Sequence, residues 1–336
     1  MRKISGIIAT TALIATALLS GPAAQAAENI TGSGSSYMNT IQQECAAAYT
    51  TNKVTYTAKG SGTGKTEFAS GATSFGGSDS LYSSDQPSNF TYVPLIGGPI
   101  GIFYNVKGVT NLKLTPALLD KIFRGKITKW NNAKIVALNP TVASKLPAKK
   151  IQVIYRSDNS GTTNNFGKYM SQVVGGSWSA ADAWADASGS TVGTGASKSA
   201  GMVTTMKTLP NSIAYADLAD VKTAGYPFAA IKNPNGEFVK PTVAASKRFL
   251  AKSTLASNGE VVFNYKLKVA GGYNLSLVSY GLAPTKSSNA AVGAAVKDYF
   301  TYFLKTCAPQ KAAGLNYVAL SGAILTKALA QVAKIK

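Results

Sequence analysis

Short runs of β-branched residues alternate along this chain with helical periodicity, and this alternation most limits the folds open to it. Strands that take turns with helices build α/β folds, whose ligand loops lie at the strand ends. The predicted strands are Val54–Ala58, Tyr92–Leu95, Ile100–Tyr104, Ile151–Tyr155, Ile213–Tyr215 and Ser276–Tyr280. The predicted helices are Tyr37–Tyr49, Pro116–Phe123, Thr163–Val173, Lys198–Thr208, Ala290–Lys305 and Gly322–Ala333. The stretch Ala187–Ala200 is rich in Gly, Ser and Thr, which is typical of a loop.

The first residues have the pattern of an export signal. Arg2 and Lys3 precede an apolar run, which ends in a series of small residues. This pattern predicts a signal peptide over residues 1–26, with cleavage after Ala26 or, as the near alternative, after Ala27. A membrane anchor is the other interpretation, but the apolar run is at the short end for a bilayer span. The sequence therefore predicts an exported protein, periplasmic or secreted, with no lipid-bearing cysteine at its new N-terminus.

Histidine is absent from all 336 residues, and its absence removes several classes of enzyme. Ser-His-Asp and Cys-His nucleophiles and imidazole zinc sites all need that side chain. The 14 acidic residues are spread along the chain and form no cluster suited to two metal ions. We therefore predict no catalytic residues, no metal site and no cofactor.

Two cysteines, Cys45 and Cys307, are too few for a four-thiolate metal site. In an oxidising compartment outside the cytoplasm they could form one disulfide that joins the two ends of the chain. Two free, buried thiols are the alternative, and the sequence leaves both open.

The chain is strongly basic, with 34 Lys and Arg against 14 Asp and Glu and a formal charge of +20. Loss of Arg2 and Lys3 with the signal peptide lowers that charge to +18. Nucleic-acid-binding proteins usually concentrate basic and aromatic residues on one element, whereas these lysines are scattered singly apart from the pair Lys149-Lys150. The pattern favours a solvated basic surface and no nucleic-acid partner, although such a surface would attract anionic partners at low salt.

Four loops rich in glycine and hydroxyl residues are the candidate functional segments. They are Gly32–Ser36, Gly60–Gly64, Ser74–Ser80 and Arg156–Thr163. A glycine turn before a helix directs unpaired N–H groups outward, hydroxyls add neutral donors, and an arginine matches a tetrahedral oxyanion. Each loop alone is an ordinary turn, and Gly60–Lys65 lacks the Walker spacing of a nucleotide triphosphatase. Only the four loops together indicate an anion site.

The order and composition of these loops resemble the periplasmic phosphate-binding proteins of the high-affinity phosphate ABC transporter. The matching segments are Ile30–Tyr37, Gly60–Gly64, Phe75–Asp79, Gly125–Asn131, Tyr155–Thr162 and Leu209–Tyr215. The resemblance implies an α/β periplasmic-binding-protein fold of two lobes, joined by a hinge, with the ligand cleft between them. Lobe I would comprise residues 27–98 plus 272–336, and lobe II residues 99–271. Cys45 and Cys307 would then share lobe I.

The resemblance also implies roles for individual residues. The implied phosphate ligands are Ser36, Tyr37, Ser61, Asp79, Arg156, Ser160, Gly161 and Thr162. Asp158 would orient Arg156, and Asp79 would accept the proton of monohydrogen phosphate. Sulfate or molybdate without a proton would place two acceptors face to face, whereas arsenate carries the same proton as phosphate. Ser36 and Tyr37 stand where the family usually has threonine and phenylalanine, but the donor chemistry is retained.

As a function, the resemblance implies a monomeric solute receptor that passes inorganic phosphate to the membrane permease subunits of an ABC importer. An exported phosphatase that uses the same loops is one alternative, which the lack of histidine and of an acidic cluster disfavours. A secreted surface or adhesion protein of the same fold is the other, and salt-sensitive cell binding would indicate it.

Overall fold

The computed structural model of the chain describes residues 27–336. The signal peptide predicted over residues 1–26 lies outside the described residues. Strands and helices alternate through the described part, and the predicted α/β class is confirmed. None of the helices in residues 27–336 combines the length and the apolar character that a membrane crossing requires.

The strands are short, and many of them directly precede a helix. They are β1 (Asn29–Gly34), β2 (Lys53–Ala58), β3 (Phe75–Ser78), β4 (Phe90–Pro99), β5 (Gly101–Asn105), β6 (Lys113–Leu114), β7 (Gln152–Arg156), β8 (Thr194–Ala196), β9 (Ser212–Ala216), β10 (Ala230–Lys232), β11 (Phe238–Val239), β12 (Thr254–Leu255), β13 (Val261–Val262), β14 (Ser276–Pro284) and β15 (Val318–Ala319).

The helices begin mostly after polar capping residues. They are α1 (Asn39–Ala48), α2 (Ser61–Ala69), α3 (Pro116–Phe123), α4 (Ala133–Leu138), α5 (Gly161–Val173), α6 (Trp184–Ser188), α7 (Lys198–Thr208), α8 (Leu218–Thr223), α9 (Val243–Leu250), α10 (Ala290–Tyr302), α11 (Ala308–Lys311) and α12 (Gly322–Ala333). A 3₁₀ turn covers Pro140–Lys145, and a π turn covers Phe303–Cys307.

Two sheets form the centres of the molecule. The larger sheet has the order β15-β4-β14-β3-β1-β2, with β1 parallel to β2 and β3, and with β14 antiparallel to β3 and β4. The second sheet has the order β5-β9-β7-β8, in which β7 is parallel to both β8 and β9. In each sheet, parallel strands bring the loops after their carboxyl ends to one edge, where ligands bind in α/β folds.

The chain passes from the larger sheet to the second sheet at Ile100, between β4 and β5. Helix α9 lies inside the range 99–271 assigned to the second lobe, yet it packs against β4, β14 and β15 of the larger sheet. The chain therefore contacts the larger sheet again well before residue 272. The lobe boundaries at 27–98, 272–336 and 99–271 stay predictions.

The loop prediction over Ala187–Ala200 is wrong at the end of α6, which extends to Ser188, and for Thr194–Ala196, which forms strand β8. Its last three residues belong to α7, as the overlapping helix prediction Lys198–Thr208 has it. Strand β8 is only three residues long, and its Thr-Gly-Ala sequence has little intrinsic strand preference. Its conformation comes from parallel pairing with β7, which a local pattern does not reveal.

The helix predicted over Ala290–Lys305 ends earlier as an α-helix, at Tyr302, and continues as the π turn into α11. Pro309 lacks the N–H that would otherwise bond to the carbonyl of Lys305, so a wider turn is tolerated there. The π turn ends at Cys307, which forms a disulfide with Cys45 of α1. The bridge ties the first helix of the described chain to its C-terminal helices.

Candidate functional site

The first part of the site is built by three neighbouring strands of the larger sheet. Strands β1, β2 and β3 are parallel, so the loops that follow them meet at one edge. The loop after β1 carries Ser35 and Ser36, the turn after β2 leads into α2 at Ser61, and Asp79 follows β3 directly. Three of the four loops singled out in the sequence therefore lie together.

Glycine is required where these loops approach one another. Gly34 has a φ of +135°, and a Cβ at that position would lie 2.0 Å from the carbonyl oxygen of Gly77 on the neighbouring strand. Gly60 has a φ of +91°, and its Cβ would lie 2.5 Å from Oδ2 of Asp158, which belongs to the fourth loop. Any side chain at either position would separate the loops.

Asp79 lies at the centre of the site and is only 3% exposed. Its Oδ1 accepts hydrogen bonds from the hydroxyls of Ser35 at 2.5 Å and Ser279 at 2.6 Å. Its Oδ2 has one protein donor within the described residues, the hydroxyl of Thr162, at the long distance of 3.4 Å. The backbone of Asp79 is held as well, since its N–H donates to Oγ of Ser61 at 3.1 Å.

Two opposing influences act on the Asp79 carboxyl group. Burial raises its pKa, because a charged carboxylate loses its hydration. The hydrogen bonds from Ser279 and Ser35, the positive charge of Arg156 and the hydroxyl of Thr162 act in the opposite direction. The net pKa remains above that of a free aspartate. The ionised form therefore depends on the hydroxyls and on Arg156.

The second part of the site comes from the loop after β7. Arg156, the last residue of that strand, is 3% exposed. Its Nε and Nη2 donate to the two oxygens of Asp158 at 2.7 and 2.5 Å, a paired arrangement that fixes the plane of the guanidinium group. Its backbone N–H donates to the hydroxyl of Tyr215 at 3.2 Å. Asp158 thus pairs with Arg156 through both oxygens, and its role in orienting Arg156 toward a ligand stays a prediction.

Asp158 differs from Asp79 because Arg156 donates hydrogen bonds directly to it. Burial alone would raise the pKa of Asp158, but the hydrogen bonds and the positive charge of Arg156 lower it overall. The backbone N–H of Lys198 also donates to its Oδ1, at 2.9 Å. Asp158 is therefore a fixed counter-ion that leaves the remaining donors of Arg156 available to an anion.

Helix α5 begins against the loops of the larger sheet. Ser160 caps it, since its Oγ accepts from the N–H of Thr163 at 3.2 Å. A Cβ on Gly161 would lie 2.6 Å from Oγ of Ser61 and 2.8 Å from Cβ of Asp79, so only glycine permits this approach. The start of the helix therefore packs directly against Ser61 and Asp79, and its first N–H groups have no partner within the helix.

Several contacts join the two sides of this site. The N–H of Gly62 donates to the carbonyl of Asn159 at 3.0 Å, and Asn165 Nδ2 donates to the carbonyl of Asp79 at 2.6 Å. Lys65 and Asp182 form an ion pair of 2.8 Å beside a groove of about 750 Å³. The loops of the two sheets are thus in direct contact around Asp79.

Most of the predicted site residues lie close together, but Ser36 and Tyr37 already have hydrogen-bond partners within the protein. The N–H of Tyr37 donates to Oγ of Ser35 at 3.1 Å, and its hydroxyl donates to the carbonyl of Pro99 at 3.2 Å. Oγ of Ser36 accepts from the N–H of Ser199 at 3.2 Å. The roles of Ser36 and Tyr37 as ligand donors stay predictions.

Four residues that lie at the site are not among those predicted from the sequence. They are Ser35, Asn165, Ser199 and Ser279. Ser35 stands in a loop already singled out, and its neighbour Ser36 was chosen instead. The only signal for Ser279 is a hydroxyl residue within a strand that is buried along nearly its whole length. The pairing of β14 with β4 shifts register between Ser279 and Tyr280, and the hydroxyl of Ser279 donates to Asp79 at that place.

The chain is similar in sequence to a protein-family model and to curated phosphate-binding proteins. A family model described as a PBP superfamily domain matches residues 20–306. Phosphate-binding protein PstS 3 of Mycobacterium tuberculosis is 33% identical over 277 residues, which is 78% of this chain and 73% of that protein. Phosphate-binding protein PstS of Methanocaldococcus jannaschii is 36% identical over 213 residues, 56% of this chain and 52% of that protein.

Among solved structures, the high affinity periplasmic phosphate-binding protein PfluDING has a similar fold. The TM-score is 0.73 at 20% identity, over 90% of this chain and 93% of that chain. A phosphate-binding protein from Stenotrophomonas maltophilia gives a TM-score of 0.70 at 19% identity, with the same coverage. The predicted periplasmic-binding-protein fold is confirmed by these likenesses.

Proposed function

Because the chain belongs to the PBP superfamily and to the PstS phosphate-binding proteins within it, we propose that it is an exported receptor for inorganic phosphate. It would deliver phosphate to the membrane permease subunits of an ABC importer. The observation that carries this proposal is the convergence of Asp79, Arg156 and the start of α5 between the loops of two sheets. One acceptor, one cation and several neutral donors suit a partly protonated tetrahedral anion.

The chemistry of binding follows from these groups. Arg156 supplies charge in a plane fixed by Asp158, while Ser61, Ser160 and the N–H groups of Gly161 and Thr162 supply neutral donors. A dianion beside the Asp79 carboxylate is repelled unless a proton lies between them. Monohydrogen phosphate carries that proton, so Asp79 accepts it. Sulfate at neutral pH has no proton to offer, and two unpaired acceptors would then face each other in a buried place.

The contacts between the two sides supply a means of enclosing the ligand. Thr162 contacts Asp79, Ser199 contacts Ser36, and Lys65 pairs with Asp182, each across the two sides of the site. Such contacts form when two lobes close about a hinge. A permease can then recognise the closed form of a monomeric receptor and release phosphate by opening it.

Calorimetric titration of the purified, ligand-stripped protein tests the proposal directly. We expect one phosphate to bind per chain, with no heat from sulfate at the same concentration. Circular dichroism before the titration shows that the stripped protein is folded. A folded protein that does not bind phosphate would refute the receptor function.

We expect no turnover of phosphate esters. The measurement is incubation with a chromogenic phosphate monoester, with and without divalent metal ions, beside a known phosphatase. Release of the chromophore in proportion to the amount of protein would favour the phosphatase alternative.

N-terminal sequencing of the exported protein tests the signal peptide, and Ala27 is the expected first residue after cleavage behind Ala26.

A further inference from the structure

The two oxygens of the Asp79 carboxyl group have unequal surroundings. Oδ1 receives two short hydrogen bonds, from Ser35 at 2.5 Å and from Ser279 at 2.6 Å. Among residues 27–336, Oδ2 receives only the long contact from Thr162, at 3.4 Å. An ionised carboxylate has lone pairs on both oxygens, so most of the unused accepting capacity lies on Oδ2.

The other partner of Ser35 leaves its hydroxyl proton available to Asp79. The backbone N–H of Tyr37 donates to Oγ of Ser35 at 3.1 Å and occupies a lone pair of that oxygen. The hydroxyl proton of Ser35 is then free to point at Asp79, where it is donated to Oδ1. Ser35 therefore acts as a donor toward the carboxylate and supports its ionised form.

Both serines belong to the same sheet as Asp79. Ser35 follows β1, Asp79 follows β3, and Ser279 lies within β14, which pairs with β3. Thr162, by contrast, comes from α5 on the opposite side of the site. The two short hydrogen bonds to Oδ1 therefore need no closure of the lobes, whereas the contact to Oδ2 does.

From this asymmetry we propose that Ser35 and Ser279 are positioning residues, which hold Asp79 ionised and present its Oδ2 to the proton of the bound oxyanion. The inference rests on the proposed function and deepens it, because it assigns the preference for a protonated anion to three side chains. Without the two donors, burial would favour neutral Asp79, which can itself donate a proton to an anion such as sulfate.

The test uses Ser35→Ala and Ser279→Ala, titrated with phosphate and with sulfate over a pH series. Loss of one hydrogen bond to a charged group should reduce the phosphate-to-sulfate affinity ratio about ten- to a hundredfold. The variants should also bind sulfate progressively better as the pH falls, because neutral Asp79 becomes accessible at a higher pH. A side chain that serves only packing would not move the pH profile.

Two further variants make the experiment specific. Ser279→Thr retains the hydroxyl and should restore most of the ratio. Ser276→Ala is the matched control, because Ser276 is a buried serine on the same strand whose hydroxyl contacts Ser246 and the carbonyl of Tyr273. Its ratio should equal that of the wild type. If Ser279→Ala does not fold, Ser35→Ala carries the test.

The outcomes separate the inference from the function on which it rests. Phosphate binding by the wild type, with an unchanged ratio and pH profile in both alanine variants, would overturn the inference and leave the receptor function standing. An equal loss of selectivity in Ser276→Ala would also overturn it. A folded wild type that binds no phosphate would overturn the proposed function and the inference together.

Discussion

Asp79 and Asp217 are both buried acids that directly follow a strand, one in each of the two main sheets, yet their surroundings differ. Asp79 has a hydroxyl donor on each oxygen, with two on Oδ1, and Arg156 nearby. Asp217 uses Oδ1 to cap α8 through the N–H of Asp220, while its Oδ2 has no hydrogen-bond partner in the described part of the chain. Asp79 therefore has donors on both oxygens, whereas one oxygen of Asp217 has none in the described part of the chain.

The comparison of the two acids indicates which groups stabilise a buried carboxylate in this protein. Burial and the negative charge of Asp220 raise the pKa of Asp217 to about 7. Tyr37 and Tyr317 face it without a positive charge, and both have pKa values raised by burial. Hydroxyl donors and one arginine counteract the effect of burial at Asp79. At Asp217 the N–H of Asp220 and the hydroxyl of Ser199 act in the same direction, but burial and the negative charge of Asp220 outweigh them.

Replacing Asp79 with Asn tests the first of these acids and should have the largest effect. The amide group of asparagine donates as well as accepts hydrogen bonds. It carries no charge, so an unprotonated anion is no longer repelled. We expect the phosphate-to-sulfate affinity ratio to fall by about two orders of magnitude or more. Calorimetric titration with both anions measures it, and Asp298→Asn, at an exposed position, is the control. An unchanged ratio would contradict the role assigned to Asp79.

The pH dependence of stability tests the second acid. The pKa of Asp217 is raised in the folded state above its unfolded value, so the folded protein binds more protons between about pH 4 and about pH 7. Its stability therefore falls as the pH rises through that window. In Asp217→Asn the loss between about pH 5 and about pH 8 should be smaller by about 2 kcal/mol.

Urea unfolding at both pH values measures this effect. Asp220 also has a pKa raised by burial, so part of the loss should persist in the variant. The amide oxygen introduced by the substitution at position 217 can still cap α8, which limits other changes to the helix. Parallel losses of stability in the wild type and the variant would show that Asp217 is not the titrating group.

Asp158 extends the comparison to a third carboxylate, because the guanidinium group of Arg156 donates to both of its oxygens. In Asp158→Asn one of the two paired hydrogen bonds from Arg156 is lost, and the plane of the guanidinium group is less well fixed. We expect phosphate affinity to fall about tenfold, with the preference over sulfate retained. Equal losses for both anions would support an orienting role, whereas a loss confined to phosphate would contradict it.

The smallest effect is expected at Ser199, which connects the two regions. Its N–H contacts Ser36, and its hydroxyl lies beside Asp217. The backbone donor remains in Ser199→Ala, so only a neutral side-chain contact is lost, and phosphate affinity should fall less than about fivefold. Titration beside Ser257→Ala, a substitution at an exposed position outside this contact, measures it. A loss as large as that in Asp158→Asn would place Ser199 among the principal ligands.

Many of the local elements of this protein can be predicted from its sequence. Pro116–Phe123 and Lys198–Thr208 form helices with the predicted bounds, and Thr115 caps the first of them. Caps, proline and hydrophobic period act over a few residues, so they can be read directly from the sequence. The glycine loops are local as well, and their order carried the resemblance that pointed to phosphate.

Tertiary structure decided which atoms of those elements meet. Ser279 reaches Asp79 across 200 residues, and Ser199 reaches Ser36 across 163 residues. Strand β8 exists because β7 lies beside it, and the elements packed around Asp217 leave its Oδ2 without a partner among residues 27–336. A serine or an aspartate has the same local pattern in either surrounding, since hydrogen bonding and burial are set by the neighbours that folding supplies.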